Sequence, residues 1–144
     1  MESEKCKVDV NFLTLLGNFH FLRYGMKRAI IEDKSINFAI RIVKLYDYLR
    51  ENKHEYIMSK QLMRCGTSIG ANVSEAQMGQ TKADFYAKIA IALKEAYESY
   101  YWIRLLHATD YLADKEFFSL ESDIKEILAI LISISNTKNK NKTK

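Results

Sequence analysis

Residues 66–70 read Gly-Thr-Ser-Ile-Gly, the G-x-S-x-G spacing of a serine-hydrolase nucleophile elbow. Asp84 and His107 follow Ser68 in the order a triad would use. An elbow needs a strand entering it, so that the serine sits on a strained turn above a sheet. The preceding "EYIMSKQLMRC" instead has helical period, and its apolar stripe runs through the glycines without a phase break. No other segment reads as a strand. His107 falls at the end of an apolar helical stripe, where a hydrogen-bonded, partly buried histidine is the simpler expectation. Glu51-x-x-His54 matches half of a di-iron carboxylate motif, but no second Glu-x-x-His accompanies it. Cys6 and Cys65 have no metal-ligand spacing, and no G-x-x-x-x-G-K-[ST] phosphate loop occurs. The expectation is a protein with no catalytic residues, no metal and no cofactor.

The elements that position these residues read as helices. The chain has 144 residues, 48% of them apolar, with no proline and five glycines. That is a poor supply of turns for a sheet and a good one for long helices. Residues 35–50 place Phe38, Ile42, Val43, Leu45, Tyr46 and Leu49 on one side of a helix, capped by Asp33 or Ser35. A second helix, about 55–79, aligns Met58, Leu62, Cys65, Gly66, Ile69, Val73 and Ala76. Thr81-x-x-Asp84 resembles a capping box at the start of a third helix, about 82–111. Its stripe is Phe85, Ile89, Ala92, Leu93, Ala96, Tyr100 and Ile103. A fourth helix, about 115–136, aligns Phe117, Leu120, Ile124, Ile127, Leu128, Leu131 and Ile134. Four amphipathic helices with three short connections predict an all-α, antiparallel up-down-up-down four-helix bundle over 35–136.

The flanks read differently. Residues 1–34 contain "VDVNFLTLLGNFHFLRYG", apolar without clean periodicity, and form an N-terminal extension, either a short extra helix or a poorly ordered segment. Its charged start (Glu2, Glu4, Lys5) is not a signal-peptide n-region. Met26 is a candidate natural start, because the bundle pattern needs nothing before about Lys27. Residues 137–144 form a basic tail, expected to be disordered. Lys138, Lys140, Lys142 and Lys144 supply the whole formal charge of +4, and the remainder is neutral. These four lysines are candidate phosphate contacts. No apolar run approaches the ~18 residues of a membrane span. Unpaired cysteine usage predicts a reducing, cytoplasmic setting.

Two glycines within one helical turn cost about 1 kcal/mol each relative to alanine. With Ser68, Ala71 and Ser74 they leave the second helix thin, so that another backbone can approach closely. Helix three carries Ile91, Glu95, Glu98, Trp102 and Leu105 away from its inner stripe. A tryptophan with aliphatics beside carboxylates suits an interface. Arg64 and Glu75, on a similar face of helix two with Ser68 between them, are placed to pair with such groups. The candidate close-packing or oligomer-interface residues are therefore Arg64, Gly66, Ser68, Gly70, Glu75, Glu95, Glu98 and Trp102.

Arg64 to Gln77 ("RCGTSIGANVSEAQ") and Lys88 to Trp102 ("KIAIALKEAYESYYW") carry a resemblance that extends over about residues 27–136. The chain closely resembles the bacterial four-helix bundle family also called the 23S rRNA intervening-sequence proteins. The resemblance implies a bundle that assembles as a ring-shaped homopentamer, no known enzymatic activity, and a link to RNA or a ribonucleoprotein. A related branch, the accessory proteins of diversity-generating retroelements, is implied to bind nucleic acid through basic outer surfaces. Residues 35–137 depart from that branch, with twelve Lys or Arg against thirteen Asp or Glu. The alternative to an RNA-linked role is a protein–protein scaffold.

Overall fold

The computed structural model describes residues 7–140, with side chains from 25 to 137. It consists of four α-helices, α1 (Lys7–Lys53), α2 (Met58–Gln77), α3 (Lys82–Ala108) and α4 (Asp114–Lys140), and no strand among the described residues. Each helix packs against two others around one core: α1 on α2 and α4, α3 on α2 and α4.

The periodicity of α2, α3 and α4 decides what is buried. All seven residues aligned on α4 lie in the core. On α2 the buried set is Leu62, Cys65, Gly66, Ile69, Val73 and Ala76, with Ser59 in addition and Met58 at the edge. On α3, Phe85, Ile89, Ala92, Ala96 and Ile103 are buried, and Leu93 and Tyr100 pack on the core's rim. The expected α1 stripe is narrower than drawn: Phe38, Ile42 and Leu49 are buried, Leu45 is partly covered, and Val43 is 38% exposed. Val43 follows the deeply buried Ile42 and is turned ~100° from it, out of the core.

Helix ends have identifiable chemistry. Thr81 and Asp84 form the expected capping box: the Asp84 N–H donates to Thr81 Oγ1 (3.1 Å) and the Thr81 N–H to Asp84 Oδ2 (3.2 Å). At the α2 start, Glu55 accepts from the N–H groups of Ile57 (3.0 Å), Met58 (2.8 Å) and Ser59 (2.7 Å). Those donors have no partner within the helix, and a carboxylate also suits the positive end of its dipole. α3 ends on Asp110 at φ 64°, with the Tyr111 N–H on the Leu106 carbonyl (2.9 Å) and the Asp110 N–H on that of His107 (3.1 Å). This is a Schellman stop with an aspartate where glycine is usual.

Contacts between helices run in opposing order. Lys27 donates to Ser133 (2.6 Å), Lys34 pairs with Glu126 (2.7 Å), and Arg41 reaches Asp123 and Ser119. Likewise Arg64 pairs with Glu98 while Glu75 pairs with Lys88. α1 is far longer than the 35–50 segment read from the sequence, so Asp33 and Ser35 lie inside it and do not cap its start, and α4 continues past residue 136 to Lys140.

Candidate functional site

The two glycines of α2 face α1. A β-carbon on Gly66 would lie 3.0 and 3.1 Å from the two γ-carbons of Ile42, and one on Gly70 would lie 3.3 Å from Ser35 Oγ. Ser35 is itself buried, its hydroxyl donating to the Glu32 carbonyl (3.0 Å). The absent side chains thus let α2 settle onto α1 within one chain.

The other flank of α2 meets α3 through charge. Arg64 lies against Glu98 (2.5 Å) and Glu95 (3.5 Å), and the Trp102 indole N–H donates to Glu98 Oε1 (3.3 Å). Burial raises the Glu98 pKa, but hydrogen bonds from Arg64 and Trp102 outweigh it and hold the carboxyl below its ordinary value. The Glu98 hydrogen bond in turn raises the arginine's. Trp102 is half-buried, packs on the core's rim and meets Tyr101 edge-on at 5.0 Å. Glu75 pairs with Lys88, away from this cluster. Ser68 is half-buried on α2, and its carbonyl accepts from Asn72 (2.9 Å). Lys138 and Lys140 fall on the last turn of α4, where only the backbone is described; Lys142 and Lys144 lie outside the described residues.

The triad spacing does not become a triad. The Arg64–Glu98 and Glu75–Lys88 pairs put Ser68 level with about residue 95 of α3, twelve residues or roughly 18 Å from His107. Asp84 lies in the opposite direction and is engaged in its capping box. His107 stacks on Phe117 (centroids 4.0 Å, planes 5° apart) and hydrogen-bonds Asp114 (2.8 Å), closing the α3–α4 junction. Burial pushes the Cys65 thiol up to about 11, leaving it protonated and a poor nucleophile. Its sulfur lies 3.2 Å from Ser99 Oγ. Among the described residues no three His, Cys, Asp or Glu side chains gather to hold a metal ion. No helix among them is long and apolar enough to cross a membrane.

One concave feature was not foreseen. A groove of about 420 Å³ lies between the C-terminal turns of α1 and the α3–α4 connection. Lys44, Tyr48 and Lys53 line one side, Tyr111 and Glu116 the other, over Leu45 and Leu112. Two ammonium groups beside two aromatic rings can meet a phosphate and an unstacked base together. Its residues lie some sixty positions apart in sequence, so no local motif announces it.

The helical core and the close approach of α2 to α1 at its glycines define an all-α four-helix protein. Within that class the assignment is specific: the model of the 23S rRNA-intervening sequence protein family matches residues 27–133, and the chain belongs to that family. A crystal structure from Bacteroides thetaiotaomicron, described as a protein with unknown function from the S23 ribosomal protein family, is similar at 48% identity. The match covers 76% of this chain and 98% of that one, with a TM-score of 0.75. No curated protein matches the chain.

Proposed function

We propose that this protein is a non-enzymatic, cytoplasmic, homo-oligomeric bundle that engages single-stranded RNA or a ribonucleoprotein. The opposing order of the interhelical pairs supports an antiparallel up-down-up-down arrangement, and the family resemblance favours a ring-shaped pentamer. The observation that carries the RNA reading is the groove lined by Lys44, Lys53, Tyr48 and Tyr111. On a body whose charges sum to zero, it gathers two lysines against one carboxylate, Glu116, beside rings for base stacking. A ring would repeat it, so that weak contacts add through avidity. The lysine tail is a second source of phosphate contacts. Arg64, Glu95, Glu98 and Trp102, already tied together within one chain, form a rigid edge for a neighbouring copy.

Fluorescence anisotropy with a short labelled RNA tests this. Each lost phosphate contact should flatten the logarithmic salt slope by about 0.7, so Lys44→Ala/Lys53→Ala should flatten it by about 1.4. Removal of residues 137–144 should leave a part of the affinity that the groove variant abolishes. Equal binding by wild type and the groove variant would refute the groove. A protein-scaffold reading is favoured by Tyr97 and Tyr101, 53% and 57% exposed on α3. Partner binding that barely changes with salt would select it.

A further inference from the structure

We propose that the N-terminal arm of α1 is a homotypic pairing element, through which two copies of this chain form an antiparallel two-stranded coiled coil over residues 8–26. The inference stands independently of RNA binding. The Lys27–Ser133 and Lys34–Glu126 pairs set the register of α4 on α1. Continued, that register puts Lys140 level with about residue 20, at one residue per 1.5 Å on each helix. The contacts of Gly70 with Ser35 and Gly66 with Ile42 put the end of α2, Gln77, level with about residue 29. The helical backbone from residue 7 to about residue 19 therefore runs roughly 20 Å past both neighbours. A single helix that long is marginal in water unless it buries a face.

The sequence supplies such a face. Val8, Phe12, Leu15, Phe19, Leu22 and Met26 follow one another at spacings of four, three, four, three and four. That is the a/d pattern of a coiled coil, and the bundle already nucleates the helix it needs. At the C-terminal end of the stripe, Met26 is 61% exposed, and a β-carbon on Gly25 would meet nothing within 4 Å. The arm lies outside the family match, which begins at residue 27, so the pairing would be this chain's addition to the shared bundle.

Charge selects the direction. With Val8 at position d, Asp9 and Arg23 both occupy position e, with Leu16 between them. Antiparallel pairing sets e against e, bringing Asp9 of each copy opposite Arg23 of the other. Its core layers set Phe12 level with Leu22, Leu15 with Phe19, and Val8 with Met26. Parallel pairing would set g against e, Asn11 with Leu16 and Asn18 with Arg23, and match no opposite charges.

The test is light scattering coupled to gel filtration on the full chain. Leu15→Glu/Phe19→Glu should halve the mass of whatever assembly wild type forms, while the bundle's melting transition persists by circular dichroism. Arg23→Asp should do the same, and Asp9→Arg/Arg23→Asp should restore the mass. In a Cys6→Ser background, Phe12→Cys chains mixed with Leu22→Cys chains should cross-link, whereas either alone should not. An unchanged mass for Leu15→Glu/Phe19→Glu overturns the proposal, as does loss of the bundle's own melting transition. Rapid cross-linking of Phe12→Cys with itself overturns the antiparallel direction. If wild type and variant share one mass but only wild type sediments with phosphatidylglycerol vesicles, the arm binds lipid and the proposal fails.

Discussion

Gly66→Ala sets two effects of opposite sign against each other. Helix propensity alone predicts a gain of about 1 kcal/mol, because alanine in a helix interior is that much better than glycine. Packing predicts a loss. The added methyl would sit 3.0 and 3.1 Å from Ile42 Cγ1 and Cγ2, well inside normal carbon contact. Ile42 cannot yield cheaply: it is 1% exposed and β-branched, so its side-chain torsion is stiff within α1. Overpacking of this kind costs about 1–3 kcal/mol, which leaves a net loss between zero and about 2 kcal/mol. Gly70→Ala is the internal control. There the nearest atom is Ser35 Oγ at 3.3 Å and the next contacts are ordinary, so the propensity gain should survive in large part. The expected order of stability is Gly70→Ala above Gly66→Ala by about 1–2 kcal/mol, a difference of several degrees in Tm for a chain this size. Urea unfolding at fixed protein concentration measures it, because oligomerisation would shift each curve. A double-mutant cycle with Ile42→Ala should show coupling, the alanine at 66 becoming harmless once its neighbour is truncated. If Gly66→Ala is more stable than wild type by the full propensity difference, with no coupling to Ile42, the close-contact argument is wrong.

Glu55→Gln should cost about 1 kcal/mol through loss of a charged helix cap, read by thermal melting. Burial raises the Glu55 pKa, but hydrogen bonds from the Ser59, Met58 and Ile57 backbones outweigh it, so the folded value lies below the ordinary 4.5. Its contribution is therefore complete above the unfolded value and lost as pH falls through the folded one. Wild type should lose more stability below pH 4.5 than Glu55→Gln does. Asp110→Gly should gain roughly 0.5–1 kcal/mol, because φ 64° favours glycine; an unchanged or lowered Tm would count against it. Ser68→Ala should change stability only slightly, and Ser68 should stay unlabelled by a fluorophosphonate. Cys65 should react with iodoacetamide only when the bundle opens, at a rate that tracks denaturant.

The bundle was legible wherever an apolar stripe had one period and one face. α4 is the clearest case, since every residue of its stripe is buried. Capping was legible where its chemistry was local: Thr81 and Asp84 are three residues apart. Glu55 was not, because it caps α2 from two residues before the flanking Ile57 and uses a glutamate in place of the usual short side chain. Ser59 and Ser99 were also missed, being polar yet buried. Each hydroxyl donates to a carbonyl four residues earlier, Ser59 to Glu55 (2.9 Å) and Ser99 to Glu95 (2.8 Å), so burial leaves no unmet donor.

The candidate sites were hidden for a different reason, which is that they are made by contacts the linear chain does not display. Trp102 beside Glu95 and Glu98 reads from sequence as an interface, with Arg64 of helix two placed to pair with the carboxylates. Arg64 does pair with them, within one chain, from a helix whose register on α3 also brings Cys65 to Ser99 and Glu75 to Lys88. The ends of α1 show the same dependence on context. Its C-terminal lysines already have Tyr48 on the same helix, but they gain Tyr111 only when the α3–α4 connection arrives beside them. Its N-terminal arm looked aperiodic because Val10, Leu13, Phe21 and Tyr24 interrupt the pattern. By helical spacing along one continuous α1, those four positions fall in the register of Ile31, Phe38 and Ile42, and the heptad positions fall about half a turn away. Two apolar faces a half-turn apart cancel in any single-period search. They separate only when the helix is known to be unbroken.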